Sequence, residues 1–445
     1  MTQCLKLRFS EIASTNKKKE YFTQSEILFT NPKKPLPQNR FSSQKVRLRF
    51  IPLKIHLKST IMKKLQIILI LAVFTLTISC KADTKKTDKE LLAKLETQNP
   101  KKDHYIKVAL LLDTSNSMDG LIDQAKAQLW EIVNELSYAK CRNDRPKLQI
   151  ALYEYGNDNL SSRDNYIRKI LSFTEDLDDV SKELFSLTTN GGSEYCGAVI
   201  QESLNKLDWG NEADDLKMVF IAGNEPFNQG KINYKDAAMA AKEDGIVVNT
   251  IFCGDYKHGI DSYWKDGAQL TYGDYMAINQ NQQTVYVPSP YDDIIIQLNI
   301  KLNNTYVPYG TRGEMKKAMQ NEQDSNAEEY SKANAVSRTV SKGSHLYTNS
   351  TWDLVDAEKE ADFSYDKLKK DELPQELKGK TNSEIKKYLE TKRNEREAIQ
   401  NEIMELNEQR RKYIAENTKK TNNGLENAMI QAIKKQAEKK SYTWE

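Results

Sequence analysis

The segment best suited to chemistry lies near residue 113, where an apolar run ends in one carboxylate and two hydroxyls. Residues 108–112 are apolar, Asp113 follows them, and Ser115 and Ser117 come at alternate positions after it. An open α/β sheet presents its binding loops where its strands end. One acid and two hydroxyls are all oxygen ligands, which suit a hard divalent cation such as Mg²⁺. The sequence therefore predicts a metal site at the end of a strand.

The elements that must position this site lie between residues 104 and 308, where apolar strand-like runs alternate with helical patterns. This alternation is typical of an α/β domain. We predict a doubly wound, mostly parallel six-stranded sheet with one antiparallel edge strand, plus a helical C-terminal extension. The expected strands are 106–112, 148–154, 166–172, 217–222, 246–252 and 274–279. The expected helices are about 119–137, 177–187, 195–206, 232–243, 259–268 and 290–303.

Two further loops are expected at the same edge of the sheet. One carries Ser193 after two glycines and before a predicted helix, and glycine allows a close approach of the backbone to a ligand. The other follows the strand 217–222 and contains Gly223, Asn224 and Glu225. In the expected strand order all three loops meet, so the Ser193 hydroxyl is placed to complete the metal shell.

Together these loops resemble the von Willebrand factor A domain, also called the integrin-type inserted domain. The family motif is Asp-x-Ser-x-Ser, then a Thr in a second loop and an Asp in a third. Asp113, Ser115 and Ser117 match the first element, and Ser193 offers a similar hydroxyl at the Thr position. The resemblance covers about 104–308. It implies a metal-ion-dependent adhesion site in which Mg²⁺ (or Mn²⁺ or Ca²⁺) keeps one position open for an Asp or Glu of a partner protein.

The third element of the motif departs from the family. Aligning residues 221–226 on the usual Thr-Asp-Gly-Glu-Pro places Gly223 where the Asp belongs. Either Asn224 or Glu225 substitutes for that ligand, or water does. The alternative is a domain of the same fold whose site no longer binds metal.

The first part of the chain is set aside from the fold. Residues 1–61 contain thirteen Lys or Arg and three acids, and we interpret them as a non-native upstream extension, with translation starting at Met62. The alternative is a basic arm that binds nucleic acid. Residues 62–79 combine a positive head, an apolar stretch and small residues at the end, which is typical of a signal peptide.

The end of this signal peptide resembles the lipobox of bacterial lipoproteins, although Thr77 stands where that pattern prefers Leu. The resemblance implies that Cys80 is lipidated and anchors the chain to a membrane of the bacterial cell envelope, with the outer membrane favoured. Residues 80–103 would then form a spacer. The alternative is an uncleaved signal anchor.

Removal of residues 1–79 changes the charge of the protein. That segment holds 15 of the 66 Lys and Arg residues and 3 of the 63 acids, so 51 basic and 60 acidic residues remain. An acidic chain gives no electrostatic reason to bind nucleic acid.

Cysteine usage fits export to an oxidising compartment. Cys196 and Cys253 are both expected at the edge of the sheet that carries the three loops, and we predict that they form a disulfide. Two reduced, buried cysteines are the alternative.

The C-terminal third offers less chemistry. Residues 309–343 are polar and are predicted to be a linker, and 344–445 to be a mixed region followed by helices. Thr381 and Glu384 predict a capping box at the start of a long helix. Its apolar positions, with Lys392, Arg396 and Arg410 between them, fit either a weak coiled coil or a helix lying on its own domain.

These features predict a non-enzymatic, membrane-anchored module of the envelope that binds proteins through its metal. A hydrolase is disfavoured because no base or nucleophile accompanies the ligands. The second hypothesis is a non-catalytic scaffold or accessory subunit of an envelope complex, which acts through its C-terminal helices without metal.

Overall fold

The computed structural model describes residues 103–142, 144–281, 286–417 and 425–444. The predictions for the upstream extension, the signal peptide and Cys80 lie outside the described residues, as does nearly all of the predicted spacer. None of the helices in the described ranges is both long enough and apolar enough to cross a membrane.

The central element is a six-stranded sheet in the order β4-β3-β1-β5-β6-β7. All neighbouring strands are parallel except β4, which runs antiparallel to β3 at one edge. The predicted fold class is thereby confirmed. The strands are β1 (Tyr105–Asp113), β3 (Lys147–Tyr155), β4 (Ile167–Thr174), β5 (Leu216–Gly223), β6 (Val247–Cys253) and β7 (Tyr275–Ile278), and β2 (Ala139–Cys141) lies outside this sheet.

Helices cover both faces of the sheet. Alternate residues of a strand point to opposite faces, so Leu110 and Leu112 enter one core while Ala109 and Leu111 enter the other. The α-helices described between residues 103 and 303 are α1 (Asp119–Leu136), α2 (Leu177–Ser186), α3 (Cys196–Lys206), α4 (Tyr234–Glu243), α5 (Tyr256–Asp261), α6 (Trp264–Gln269) and α7 (Asp292–Asn303).

The prediction that residues 309–343 form a linker is wrong, because this segment contains two helices, α8 (Gly313–Tyr330) and α9 (Lys332–Gly343). Its polar composition is misleading because charged side chains are buried there as pairs. Arg338 is 1% exposed, and its guanidinium donates to Asp178 at 2.7 Å and to Asp324 at 2.6 Å. Lys342 is fully buried and also donates to Asp324.

The remaining elements are α10 (Leu354–Ala357), α11 (Asn382–Asn417), α12 (Leu425–Ala437) and β8 (Tyr442–Trp444), which pairs with β2. The capping box is confirmed: the Thr381 amide donates to Glu384 at 2.8 Å, and the Glu384 amide donates to the Thr381 hydroxyl at 3.3 Å. Helix α11 lies on its own domain, against α7 and α9.

Arg396 and Arg410, two of the three cationic residues predicted along α11, explain how this polar helix is held against the rest of the protein. Arg396 is 2% exposed, stacks on Tyr306, and donates to Asp353 at 2.7 Å and Asp356 at 3.0 Å. Arg410 donates to the buried Asp292 at 3.0 Å. The C-terminal region and the sheet thus share one core, and buried ion pairs lie at their junction.

The predicted disulfide is wrong: Cys196 and Cys253 are free and buried, as is Cys141. Cys196 belongs to the core on one face of the sheet, whereas Cys253 packs with Ile251 and Ile278 in the core on the other face. Both residues lie near the edge of the sheet that carries the loops, but the sheet separates their side chains.

We expect alkylation of the unfolded, unreduced protein to label Cys141, Cys196 and Cys253, since each thiol is free. In the folded protein their burial should protect all three. Peptide mass spectrometry reads both states, and a linked Cys196–Cys253 peptide would contradict this arrangement.

Replacing Arg396 with Met should lower the free energy of unfolding by about 3–5 kcal/mol, because the buried Asp353 and Asp356 carboxylates lose their partner. Urea unfolding measures the change. The matched control is Lys387→Met on the exposed side of the same helix, which should stay within about 0.5 kcal/mol of the parent. Equal stability of the two variants would show that the Arg396 pairs do not hold α11.

Candidate metal centre

Asp113 ends β1 between the parallel strands β3 and β5, where the carboxyl ends of the strands bring their loops together. Its side chain is fully buried. One carboxylate oxygen, Oδ1, accepts a hydrogen bond from the Ser115 amide at 2.8 Å. The other, Oδ2, is buried and has no hydrogen-bond partner among the described residues. An unpartnered buried oxygen is costly, and a cation would supply what it lacks.

The charge around Asp113 is uncompensated. Burial, with further contributions from Glu194 and Glu225, raises the pKa of Asp113 to about 7. Burial likewise raises the pKa of Glu194 to about 7, with contributions from Glu225 and Asp158. Within the described ranges, neither Asp113 nor Glu194 forms an ion pair with Lys, Arg or His. The centre therefore favours a positively charged ligand.

Hydroxyl and amide groups line the side of the centre that faces solvent. The Ser115 and Ser117 hydroxyl oxygens lie 3.3 Å apart. The Asn224 side-chain amide, from the loop after β5, donates to the Ser117 hydroxyl at 3.0 Å. The structure thus brings together Asp113, Ser115, Ser117 and Asn224, of which Asp113 and Ser115 are buried and Ser117 is exposed.

The other two predicted ligands, Ser193 and Glu225, are less closely tied to Asp113. Ser193 is half-buried, and its hydroxyl makes no hydrogen bond to any residue in the described ranges. Glu225 is exposed at the rim, where its carboxylate accepts from Gln229 at 3.2 Å. Among the described residues, no group of three or more His, Cys, Asp or Glu is arranged to hold a metal, so a cation here depends on hydroxyl and amide oxygens as well as carboxylates.

Glu194, which the sequence reasoning missed, is the acidic residue of the second loop that lies in the centre. It is 7% exposed and contributes to the raised pKa of Asp113. Its position in the sequence could have indicated this role, because Glu194 directly follows the predicted ligand Ser193 and precedes α3.

Backbone contacts fix the second loop against the first. The Asn190 amide donates to the Thr114 carbonyl at 3.0 Å, and the Asp158 amide donates to the Gly191 carbonyl at 2.5 Å. A Cβ on Gly192 would lie 2.1 Å from the Gly156 carbonyl oxygen. Gly192 therefore lets the second loop pack closely against the backbone at Gly156.

The structure explains why Gly223 departs from the motif. A Cβ on Gly223 would lie 2.6 Å from the Tyr155 hydroxyl and 2.9 Å from Oδ2 of Asp113. Tyr155 is fully buried, and its hydroxyl donates to the Ala222 carbonyl at 3.0 Å. Tyr155 thus occupies the space that a side chain at position 223 would need.

Comparison with known families agrees with this geometry. Residues 107–261 match the family model for the von Willebrand factor type A domain. This segment is a von Willebrand factor type A domain. The matched segment begins in β1 and ends with α5, so it includes the loops that carry Asp113, Glu194 and Asn224.

Solved structures with similarity to this type A domain come from several sources. BatB from Bacteroides thetaiotaomicron is 17% identical, with 39% of this chain and 90% of that chain covered and a TM-score of 0.30. The von Willebrand factor domain of a type V pili tip protein from Porphyromonas gingivalis is 12% identical, with 40% and 90% covered and a TM-score of 0.29.

A third similar structure is proximal thread matrix protein 1 from the mussel byssus, described with a zinc-occupied metal-ion-dependent adhesion site. It is 15% identical, with 39% of this chain and 41% of that chain covered and a TM-score of 0.31. No curated protein matches the sequence. The assignment of the type A domain rests on the family model and on the strand order, not on these likenesses.

Gly223→Ala should lower the free energy of unfolding by about 1–3 kcal/mol, because the added methyl group must displace Tyr155 or Asp113. Thermal or urea unfolding measures the loss. Gly191→Ala is the control, since its Cβ would have no neighbour closer than 3.6 Å and should change stability by no more than about 0.5 kcal/mol. Equal effects of the two substitutions would contradict the tight packing at Gly223.

Proposed function

We propose that this type A domain binds a protein partner through a divalent cation, with an Asp or Glu of the partner as the last ligand. Mg²⁺ is the expected cation, with Mn²⁺ or Ca²⁺ as substitutes, and Asp113, Ser115, Ser117 and Asn224 would hold it. The observation that carries the proposal is the buried, unpartnered Oδ2 of Asp113 beside three oxygen-bearing side chains. When bound, the cation supplies a directional site for carboxylate oxygen.

The shape of the centre supports binding to a macromolecule. Asp113 and Ser115 form the buried floor, whereas Ser117 is exposed and Asn224 is half-buried. An acidic side chain on a protruding loop of a partner would approach the centre from the side of Ser117 and Asn224. Electrostatic complementarity of this kind specifies a partner more than it adds raw affinity.

We propose a non-catalytic role for the same centre. A hydrolytic site of this kind would need an activated nucleophile or a positioned general base. In the described part of the chain, no His makes a hydrogen bond to the Ser115 or Ser117 hydroxyl. These hydroxyls contact each other and Asn224, and the Ser115 side chain also contacts Glu194. Such groups are suited to holding a ligand.

We place the protein in the bacterial cell envelope, tethered through lipidated Cys80 with residues 80–103 as the spacer. Support comes from the signal-like sequence that precedes Cys80 and from the acidic balance of the remaining chain. The partner is then a protein of the same compartment and not a nucleic acid.

The second candidate function is a scaffold that works through its C-terminal helices. The 36-residue helix α11 favours it, because one side of that helix is exposed along its length. Deleting the C-terminal region cannot test this role, since Arg396 and Arg410 form part of the shared core. Charge reversals confined to the exposed positions Lys387 and Glu402 test it without breaking the core.

Crosslinking pull-downs from intact envelopes should capture a partner in the presence of Mg²⁺. EDTA should lower the amount of captured partner at least tenfold. Asp113→Ala should abolish capture to the same extent, because it removes the buried carboxylate. Asp236→Ala, an exposed acid of α4, is the control and should capture normally.

Three outcomes separate the candidates. Capture that survives EDTA and Asp113→Ala but fails on the combined Lys387→Glu and Glu402→Lys reversal would establish the scaffold instead. Metal-dependent turnover of an envelope polymer would contradict a non-catalytic role. Metal-dependent capture that is unchanged in the combined Lys387→Glu and Glu402→Lys variant would support the proposed function.

A further inference from the structure

We propose that Glu194 is a metal ligand of this centre and supplies the second carboxylate that the family motif places in the third loop. The inference rests on the proposed metal-dependent function and names the donor that makes the centre of this particular chain complete. In this arrangement the second acid comes from the loop before α3 and not from the loop after β5.

The position of Glu194 is the first step of the argument. A Cβ on Gly156 would lie 2.8 Å from Cγ of Glu194 and 2.9 Å from Oδ1 of Asp113. The two acidic side chains therefore approach the same point in space from different loops. Gly156 has φ +82°, a conformation that glycine adopts readily, so the backbone beneath them leaves room for both.

The environment of Glu194 is the second step, and other buried acids of the chain provide the comparison. Asp178, Asp292 and Asp353 each receive a guanidinium within 3.0 Å. Glu194 is 7% exposed but, within the described residues, forms no ion pair. A buried acid whose role is only structural normally forms an ion pair with a cationic side chain. Two neighbouring acids left unpaired, beside hydroxyls, are suited to share a cation.

The third step of the argument concerns position 223, where the family motif has its second acid. The third loop cannot carry a carboxylate at position 223, because even a Cβ there would approach the Tyr155 hydroxyl to 2.6 Å. Asn224 contributes only a neutral amide, and Glu225 is exposed and hydrogen-bonded to Gln229. Glu194 is therefore the acid that can restore a second negative charge beside Asp113, and hard cations bind more tightly as ligand charge increases.

The test compares Glu194→Gln with Glu225→Gln in the full protein, using Mn²⁺ titration calorimetry and the shift of the unfolding temperature caused by Mg²⁺. Glu194→Gln should weaken Mn²⁺ binding at least tenfold and remove most of the Mg²⁺-induced shift. Glu225→Gln, the matched rim variant, should weaken Mn²⁺ binding less than threefold.

A second readout excludes a merely structural role. In metal-free buffer, Glu194→Gln should unfold at the same temperature as the parent or higher, since a neutral amide replaces a buried, unpaired carboxyl. A lower unfolding temperature together with unchanged Mn²⁺ affinity would show that Glu194 only supports the fold, and would overturn the inference.

The failures are distinguishable. If the parent binds Mn²⁺, Asp113→Ala does not, and Glu194→Gln binds as the parent does, Glu194 is not a ligand and the proposed function stands without it. If the parent binds none of Mg²⁺, Mn²⁺ or Ca²⁺, the metal-dependent function falls, and the role of Glu194 falls with it.

Discussion

The structure depends on one buried carboxylate at the end of its central strand. Asp113 is held through Oδ1 by the Ser115 amide, while Oδ2 has no protein partner in the described part of the chain. The surrounding loops are shaped to this carboxylate, because a Cβ at Gly156 or Gly223 would come within 2.9 Å of its oxygens. A fold that keeps such an oxygen unpaired violates the usual rule for buried polar groups, and violations of this kind are expected at functional sites.

Buried charge is handled in two opposite ways within this chain. In the C-terminal region, Arg338 with Asp178 and Arg410 with Asp292 hold polar helices against the sheet domain, and Arg396 with Asp353 holds α11 within the C-terminal region itself. Around the end of β1, Asp113 and Glu194 have no such partner among the residues that the structure describes. The first arrangement satisfies its charges internally and is structural. The second leaves two buried acids without a cationic partner in the described part of the chain, which is the arrangement on which the proposed metal site rests.

Sequence patterns predicted the sheet and the helices around it because strand alternation and helical periodicity record which residues are buried. They failed at α8 and α9, where burial is achieved by ion pairs such as Arg338 with Asp178, and composition alone suggests solvent exposure. They failed for Cys196 and Cys253 because shared position at a sheet edge does not determine the face. The placement of Glu194 beside Asp113 needed the structure, since it depends on the path of a loop.

Helix α1 explains why the predicted domain boundary at residue 308 does not end the folded unit. This helix begins directly after the metal loop, and its Gln124 side chain accepts a hydrogen bond from the Leu425 amide at 3.1 Å. Asn134, at its other end, donates to the Ser337 carbonyl of α9 at 2.9 Å. The helix whose N-terminus carries the candidate metal loop is therefore held along its length by the C-terminal region. That region therefore braces the face that carries the candidate metal centre and is not an appendage.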